Sequence, residues 1–344
     1  MSKIICGVDV ASDSLQVRIG REGAEGCFSN TKKGITKLVA FCRQHKVELA
    51  AMEASGGYEK LPFALLWAQG LAVAILNPRA VRQFAEGMGL LEKTDRIDAG
   101  KIAWFAEVKH VAPTQPHSAE QQRLKALVVR LRQLTELQAA QRNQQLLVED
   151  AMVRKSFTAL LAVVKSQIRE LEKTIADLIA ADPLWQKLNQ AFRSIKGVAG
   201  RTVARLMAEM PEIGTLSNKA ISKLAGLAPL ARDSGKRECK RVVRGGRRGI
   251  RAILFVVASV VRRYHPDFTA FHQRLTAAGK AKKAVRIALA HKLLVRLNAK
   301  AREVRGELAA VAVVDSRSRR VVGKWETRSV FQDGVPPSFP QLLS

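Results

Sequence analysis

Aromatic residues make up only 5% of this 344-residue chain, which argues against a base-stacking single-strand binder as the main activity. Cysteine is sparse as well. Cys6, Cys27, Cys42 and Cys239 form no Cys-x-x-Cys pair and have no histidine at ligand spacing, so a zinc site is not expected and the thiols read as reduced. Long hydrophobic runs are missing; the stretch from Ile253 to Val261 falls well short of a bilayer span, so no membrane partner is expected. The opening Met1-Ser2-Lys3-Ile4-Ile5-Cys6 enters a strand pattern at once, without the apolar core of a signal peptide. Acids are scarce too: 30 Asp and Glu face 58 Lys and Arg, for a net charge of +28 and a pI near 10.6. A field of that sign concentrates polyanions. The expectation is a cytoplasmic, nucleoid-associated chain that meets nucleic acid through phosphates. Ribosomal and chromatin-type proteins share that charge, so it says nothing yet about chemistry.

The hydrophobic content of 47% over this length is enough for two domains and a connector. Residues 3–10 are β-branched and continuous, the pattern of a buried strand, and end in an acid, Asp9, followed by Val10. Residues 15–19 alternate and suit a hairpin partner, and a third short strand fits near residues 26–29. Asn30 or Thr31 can cap a helix running to about Gln44. Residues 48–52 form another apolar strand ending in an acid, Glu53. A helix over 58–69 and a strand over 71–76 follow, stopped by Asn77-Pro78. Three β elements and then α-β-α-β units are the layout of an RNase H-like domain. In open α/β sheets, ligands gather at strand C-termini, where Asp9 and Glu53 fall.

From Ser118 to Ala181 the period changes. Leu124, Leu127, Leu131 and Leu134 step by threes and fours, as do Ile168, Leu171, Ile175 and Leu178, on either side of a polar patch at residues 138–145. That predicts a helical hairpin or coiled coil suited to oligomerisation, ended by Asp182-Pro183. Residues 195–204 hold a glycine-punctuated turn between helices that resembles a helix-hairpin-helix; phosphate binding and an ordinary helical connector are both open for it. Apolar helices are expected over residues 250–264 and about 281–304, and an aperiodic, flexible tail from about Asp315.

Two residue sets carry chemistry. Asp9, Glu53, Asp95 and Asp98 are hard oxygen donors, the last two at i and i+3 on one helix face, and can converge on Mg²⁺, with Mn²⁺ as an alternative. Each acid alone has an ordinary reading: Asp95 an N-cap, Glu53 a solvated strand end, Asp98 a surface charge. Asp9 is the firmest, since an acid after so apolar a strand is costly unless paired or metal-bound; Asp13 and Glu59 are lower-ranked spares. The second set is Ser234 before Gly235, within Lys236, Arg237, Lys240, Arg241, Arg244, Gly245, Gly246, Arg247, Arg248 and Arg251. Guanidinium groups and close backbone approach at glycine suit a scissile phosphate, and a serine there can be a nucleophile. It can equally be a turn residue in a loop that touches DNA. The segment Gly7-Val8-Asp9-Val10-Ala11-Ser12 is also similar to the first phosphate loop of actin-like sugar kinases. Ala11-Ser12 replace the Gly and Thr expected there, and no adenosine loop follows.

The motifs Gly7-Val8-Asp9-Val10-Ala11, Met52-Glu53-Ala54-Ser55-Gly56-Gly57-Tyr58, Asn77-Pro78, Lys93-Thr94-Asp95-Arg96-Ile97-Asp98-Ala99 and Gly226-Leu227-Ala228-Pro229 with Ser234-Gly235-Lys236 resemble, in the same order, those of the DEDD-type insertion-sequence transposases. These are bridge-RNA-guided serine recombinases related to the pilin-gene invertases, and the resemblance spans nearly the whole chain. It implies a RuvC-like metal-binding domain over residues 1–114, with Asp9, Glu53, Asp95 and Asp98 as ligands. A helical coiled-coil arm over 115–183 and a mostly helical transposase domain over 184–310, with Ser234 forming a phosphoserine bond to DNA, complete it; 311–344 is the tail. It further implies double-stranded donor and target DNA, a structured guide RNA, and a homo-oligomer, dimer or tetramer. The alternatives are a RuvC-like junction endonuclease using metal-activated water, in which Ser234 is dispensable, and a non-catalytic RNA-binding scaffold.

Overall fold

The structure is a computed structural model and describes residues 3–90, 95–231 and 241–329. It divides after His117 into two compact units with separate cores. The first opens with β1 (Ile5–Val10), β2 (Ser14–Ile19) and β3 (Glu25–Ser29), joined antiparallel. Then come α1 (Lys32–Gln44), β4 (Leu49–Glu53), α2 (Lys60–Ala68), β5 (Ala72–Leu76), α3 (Pro78–Gly87) and α4 (Asp95–Val108). The sheet order is β3-β2-β1-β4-β5, with β4 parallel to β1 and β5 parallel to β4. This is the mixed sheet expected of an RNase H-like domain.

Local chemistry accounts for the boundaries. The Thr31 side chain caps α1 by accepting from the Gly34 amide at 3.3 Å. Asn77-Pro78 both stops β5 and starts α3: the Asn77 side chain accepts from the Arg79 amide at 3.0 Å, and proline sits where its missing N–H costs nothing. The helix α3 itself is absent from the sequence reading.

Strand alternation divides the first core in two. Cys6, Val8, Val10, Ala50, Met52 and Val73 pack with Ile35, Leu38, Cys42 and Leu66 of α1 and α2. Ile5, Leu49, Ala51, Ala74 and Leu76 pack with Val81, Ile102, Ala103 and Ala106 of α3 and α4. Asp9 and Glu53 have the parity of the second set, so they belong to the face that α4 covers.

The second unit is helical: α5 (Ala119–Gln145), α6 (Ala151–Ala181), α7 (Pro183–Arg193), α8 (Gly200–Glu209), α9 (Asn218–Leu224), α10 (Arg248–Val261), α11 (Pro266–Ala277) and α12 (Lys282–Ser329). Leu289, Leu293, Leu297, Ala301 and Val304 bury one stripe of α12 against Ile250, Leu254 and Val261 of α10 and Trp185, Leu188 and Phe192 of α7. Fully burying each such aliphatic side chain contributes roughly 1.5–3 kcal/mol. Asn298 is wholly buried in that stripe, accepting from the Gly214 amide at 2.8 Å and donating to the Leu216 carbonyl at 3.0 Å.

Two expectations for this half are corrected, and one helix is added. The polar stretch 138–145 is not the break in the hairpin: α5 runs through Gln145, because Gln, Ala and Arg propagate a helix, and the turn uses residues 146–150 before the Asp150 cap. The helix α11 was not foreseen. The backbone also stays helical to Ser329, where a tail was expected; between Val311 and Ser329 stand one glycine and no proline, so nothing interrupts the hydrogen-bond ladder.

Candidate functional site

The acids are brought together by register. Parallel pairing sets Gly7 beside Ala51 and Val8 beside Met52, so one step further Asp9 and Glu53 end adjacent strands on the same face. Helix α4 crosses that face against β1 at Gly7, where a Cβ would lie 1.9 Å from the Ala99 carbonyl oxygen. Only glycine admits so close a helix. Ala99 follows Asp98, so the contact that needs Gly7 also delivers Asp98 to the strand ends.

Electrostatics report the same convergence. The Glu53 carboxyl is pushed up to about 7, first by burial and then by the negative charges of Asp9 and Asp98, with Arg82 of α3 opposing. Asp98 is itself held by Lys101, whose Nζ lies 3.1 Å from Oδ1; the two side chains are 28% and 8% exposed. Among the described residues, no three acids, histidines or cysteines stand close enough to hold an ion as they are. The backbone of Asp95 opens α4, while its side chain lies outside the described residues. In kind and in charge the described acids fit a hard divalent cation: all donors are carboxylate oxygens, crowded enough to keep a proton on one of them near neutrality.

Two neighbours were undervalued. Glu59, ranked as a spare ligand, turns inward. Its Oε2 accepts from the Ser55 and Gly57 amides at 3.1 and 2.7 Å and from the Ser55 hydroxyl at 3.2 Å, clasping the loop that follows Glu53. Lys101 was passed over, although its position at i+3 from Asp98 was the available signal.

The basic run is only partly described. Ser234, Lys236, Arg237 and Lys240 lie outside the described residues, but the two ends of their segment are placed. A short antiparallel bridge joins them, Leu230 donating to Val242 at 2.9 Å and receiving at 3.4 Å. Beyond it, Gly246 takes φ +63° with its Cβ position 2.6 Å from the Gly226 Cα, so this glycine serves backbone contact inside the protein. Arg247 makes two bonds of 2.5 Å to Glu212. Arg251 donates to the carbonyls of Gly226 at 3.2 Å and Gly245 at 2.7 Å. Both guanidinium groups are thereby engaged within the fold. Gly245 has open space, and Arg241, Arg244 and Arg248 are exposed.

A mixed sheet of this order, with acids on two neighbouring strand ends and on the helix laid across them, defines an RNase H-like domain. Comparison with known proteins gives the family. A DEDD-type family model described as transposase matches residues 6–149, and the model described as transposase IS116/IS110/IS902 family matches residues 189–273. The chain belongs to the IS116/IS110/IS902 transposases. Membership implies that it works on DNA and, the family being of DEDD type, that divalent metal ions take part.

The pilin gene-inverting proteins of Moraxella bovis and Moraxella lacunata are each 29% identical over 319 residues, covering 86% of this chain and 94% of their own. A Thermus thermophilus RuvC structure aligns at 15% identity with a TM-score of 0.24, over 32% of this chain and 99% of that one. At that score nothing is transferred. Among the described residues, no helix is long and apolar enough to cross a membrane.

Proposed function

We propose that this transposase cuts and rejoins DNA with two residue sets, Asp9, Glu53, Asp95 and Asp98 holding Mg²⁺ and Ser234 forming a covalent bond to DNA. The observation that carries the metal half is geometric: the β1–β4 register ends neighbouring strands at Asp9 and Glu53, and the seat of α4 on Gly7 brings Asp98 to them, in keeping with the raised Glu53 carboxyl. A bound Mg²⁺ supplies charge to orient a phosphate and offset negative charge on its oxygens. The protein's own part is to keep the carboxylates converged through the seat of α4 on Gly7 and the clasp of Glu59.

For the second half, the Ser234 Oγ gives up its proton and bonds to phosphorus as the P–O bond to one deoxyribose breaks, and that deoxyribose oxygen takes a proton and leaves as a free hydroxyl. The new ester keeps that bond energy for rejoining, without a nucleoside triphosphate. Arg241, Arg244 and Arg248, with Lys236, Arg237 and Lys240, meet phosphates of the duplex; Arg247 and Arg251 hold the backbone that flanks the serine segment. Residues 1–114 form the metal domain, 115–183 the arm and 184–310 the domain that carries the serine. The IS110-type resemblance adds a structured RNA that pairs with donor and target DNA, which assigns base reading to a nucleic acid.

Self-association through the arm has its own support. No residue between 135 and 163 is buried, and Leu146, Leu147 and Met152 near the hairpin tip are 81%, 85% and 83% exposed. An apolar tip of that kind suits a second copy of the chain.

Incubation with labelled DNA carrying the element's ends, its flanking RNA and Mg²⁺, followed by denaturing electrophoresis, tests the reading. A protein–DNA adduct in wild type that is lost in Ser234→Ala and in Asp9→Ala, with both variants folded, is the expected result. Cut DNA with free 5′-phosphates and no adduct would instead establish metal-activated water as the nucleophile. Binding of the RNA unchanged by Asp9→Ala, with no cutting at all, would leave the scaffold reading.

A further inference from the structure

Lys101 is one of the few polar side chains buried among the described residues, at 7% exposure, and its ammonium lies against a carboxylate. Its ammonium sits 3.1 Å from Asp98 Oδ1, on the same helix three residues along. At the surface, that spacing would be a minor feature. Here the ammonium has left water, and a desolvated cation is tolerated only where a carboxylate answers it. The carboxylate that answers belongs to a crowd. Asp98 and Asp9 both bear on Glu53, so Lys101 offsets part of a charge that otherwise accumulates at the strand ends.

We propose that Lys101 is the built-in counter-ion of the metal site, a positioning residue that engages Asp98 through Oδ1 and lowers the affinity of the site for a divalent cation. The proposal rests on the reading of Asp9, Glu53, Asp95 and Asp98 as metal ligands. Two consequences follow from the geometry. With Oδ1 engaged, the other oxygen of Asp98 is the one offered to a cation, which fixes the rotamer of the ligand before any metal arrives. The side chain of Lys101 is also only 8% exposed, so its charge is largely shielded from solvent and stands beside a cation that enters. A divalent ion therefore binds against a fixed positive charge, and the site fills weakly until an anionic partner such as a DNA phosphate adds negative charge. Without a cation, in return, the acids are spared an uncompensated negative charge.

The test uses the full-length chain with Mn²⁺ as probe, following free Mn²⁺ by electron paramagnetic resonance and thermal unfolding with and without the ion. Lys101→Met removes the charge at similar length; Lys101→Gln removes it but keeps a donor for Asp98, and serves as the deciding variant if the methionine form does not fold. Lys101→Arg keeps the charge. Both neutral variants should take up Mn²⁺ about tenfold more tightly or better, with Lys101→Arg within about threefold of wild type, as expected when one nearby cation is lost from a partly buried site. Their unfolding temperature without metal should fall while the rise on adding Mn²⁺ grows. A purely structural lysine would lower stability and leave the affinity alone, and neutral variants that bind Mn²⁺ no tighter than wild type would overturn the proposal. Wild-type protein that takes up no Mn²⁺, or takes it up equally well as Asp9→Asn, would instead overturn the metal site itself.

Discussion

The carbonyl oxygen of Ala99 stands where a side chain at Gly7 would begin, 1.9 Å from the Cβ position. Strand β1 and helix α4 are thus in backbone contact at the point where both turn toward the acids. Gly7→Ala must push α4 away, because the atom in conflict is main chain and has no rotamer to change. We expect a loss of about 3 kcal/mol, as for an overpacked core, in denaturant unfolding of the first unit. Mn²⁺ binding should weaken alongside, since Asp98 moves with the helix. Unchanged unfolding in Gly7→Ala would contradict the close seat of α4.

Glu53 gives the metal-free chain a pH dependence of defined sign. Its carboxyl ionises near 4.5 when unfolded and at about 7 when folded, so the fold holds this proton more tightly. Stability from this group is therefore full below pH 4.5, declines as pH rises toward 7 and stays at its lower value above that. Without divalent ions, wild type should unfold at a higher temperature at pH 5 than at pH 8, relative to Glu53→Gln, which carries no such slope. Cation uptake near pH 6.5 should expel a proton from Glu53, seen as a calorimetric binding heat that varies with the ionisation enthalpy of the buffer. A wild-type slope matching Glu53→Gln would show that the carboxyl is not crowded.

The arginines before and within α10 separate by role. Arg248 is exposed, so Arg248→Ala should leave stability unchanged and reduce the salt dependence of DNA binding by about one phosphate contact. Arg251→Met should do the reverse. It strands the carbonyls of Gly226 and Gly245, at about 1–3 kcal/mol in stability, and loosens both ends of the serine segment. Equal effects of the two changes on the salt slope would mean that Arg251 also faces DNA.

At the far end of the hairpin, none of the described residues buries Leu146, Leu147 or Met152. Replacing all three by serine should lower the oligomeric state in sedimentation equilibrium and leave the unfolding transition of the second unit in place, because these side chains add nothing to its core. An unchanged assembly would move the interface elsewhere.

Much of the site was legible in the chain itself, for a reason visible in Asp9 and Glu53. Strand parity is a local property: an acid two residues on from a buried position shares its face, so apolar runs ending in acids predict both the strands and where their carboxylates point. The cap at Thr31, one of the two the sequence offers, was readable on the same ground, since a side chain that bonds an amide three residues away needs no distant partner. What required the tertiary structure was everything settled by a remote neighbour. Nothing near Arg247 in sequence announces Glu212, nor does anything near Gly246 announce the backbone of Gly226, so the contacts that tie both residues into the fold could not be read from the chain. Lys101 looks in sequence like any helix lysine beside an aspartate. Only the seat of α4 across β1 removes it from water and makes its charge count.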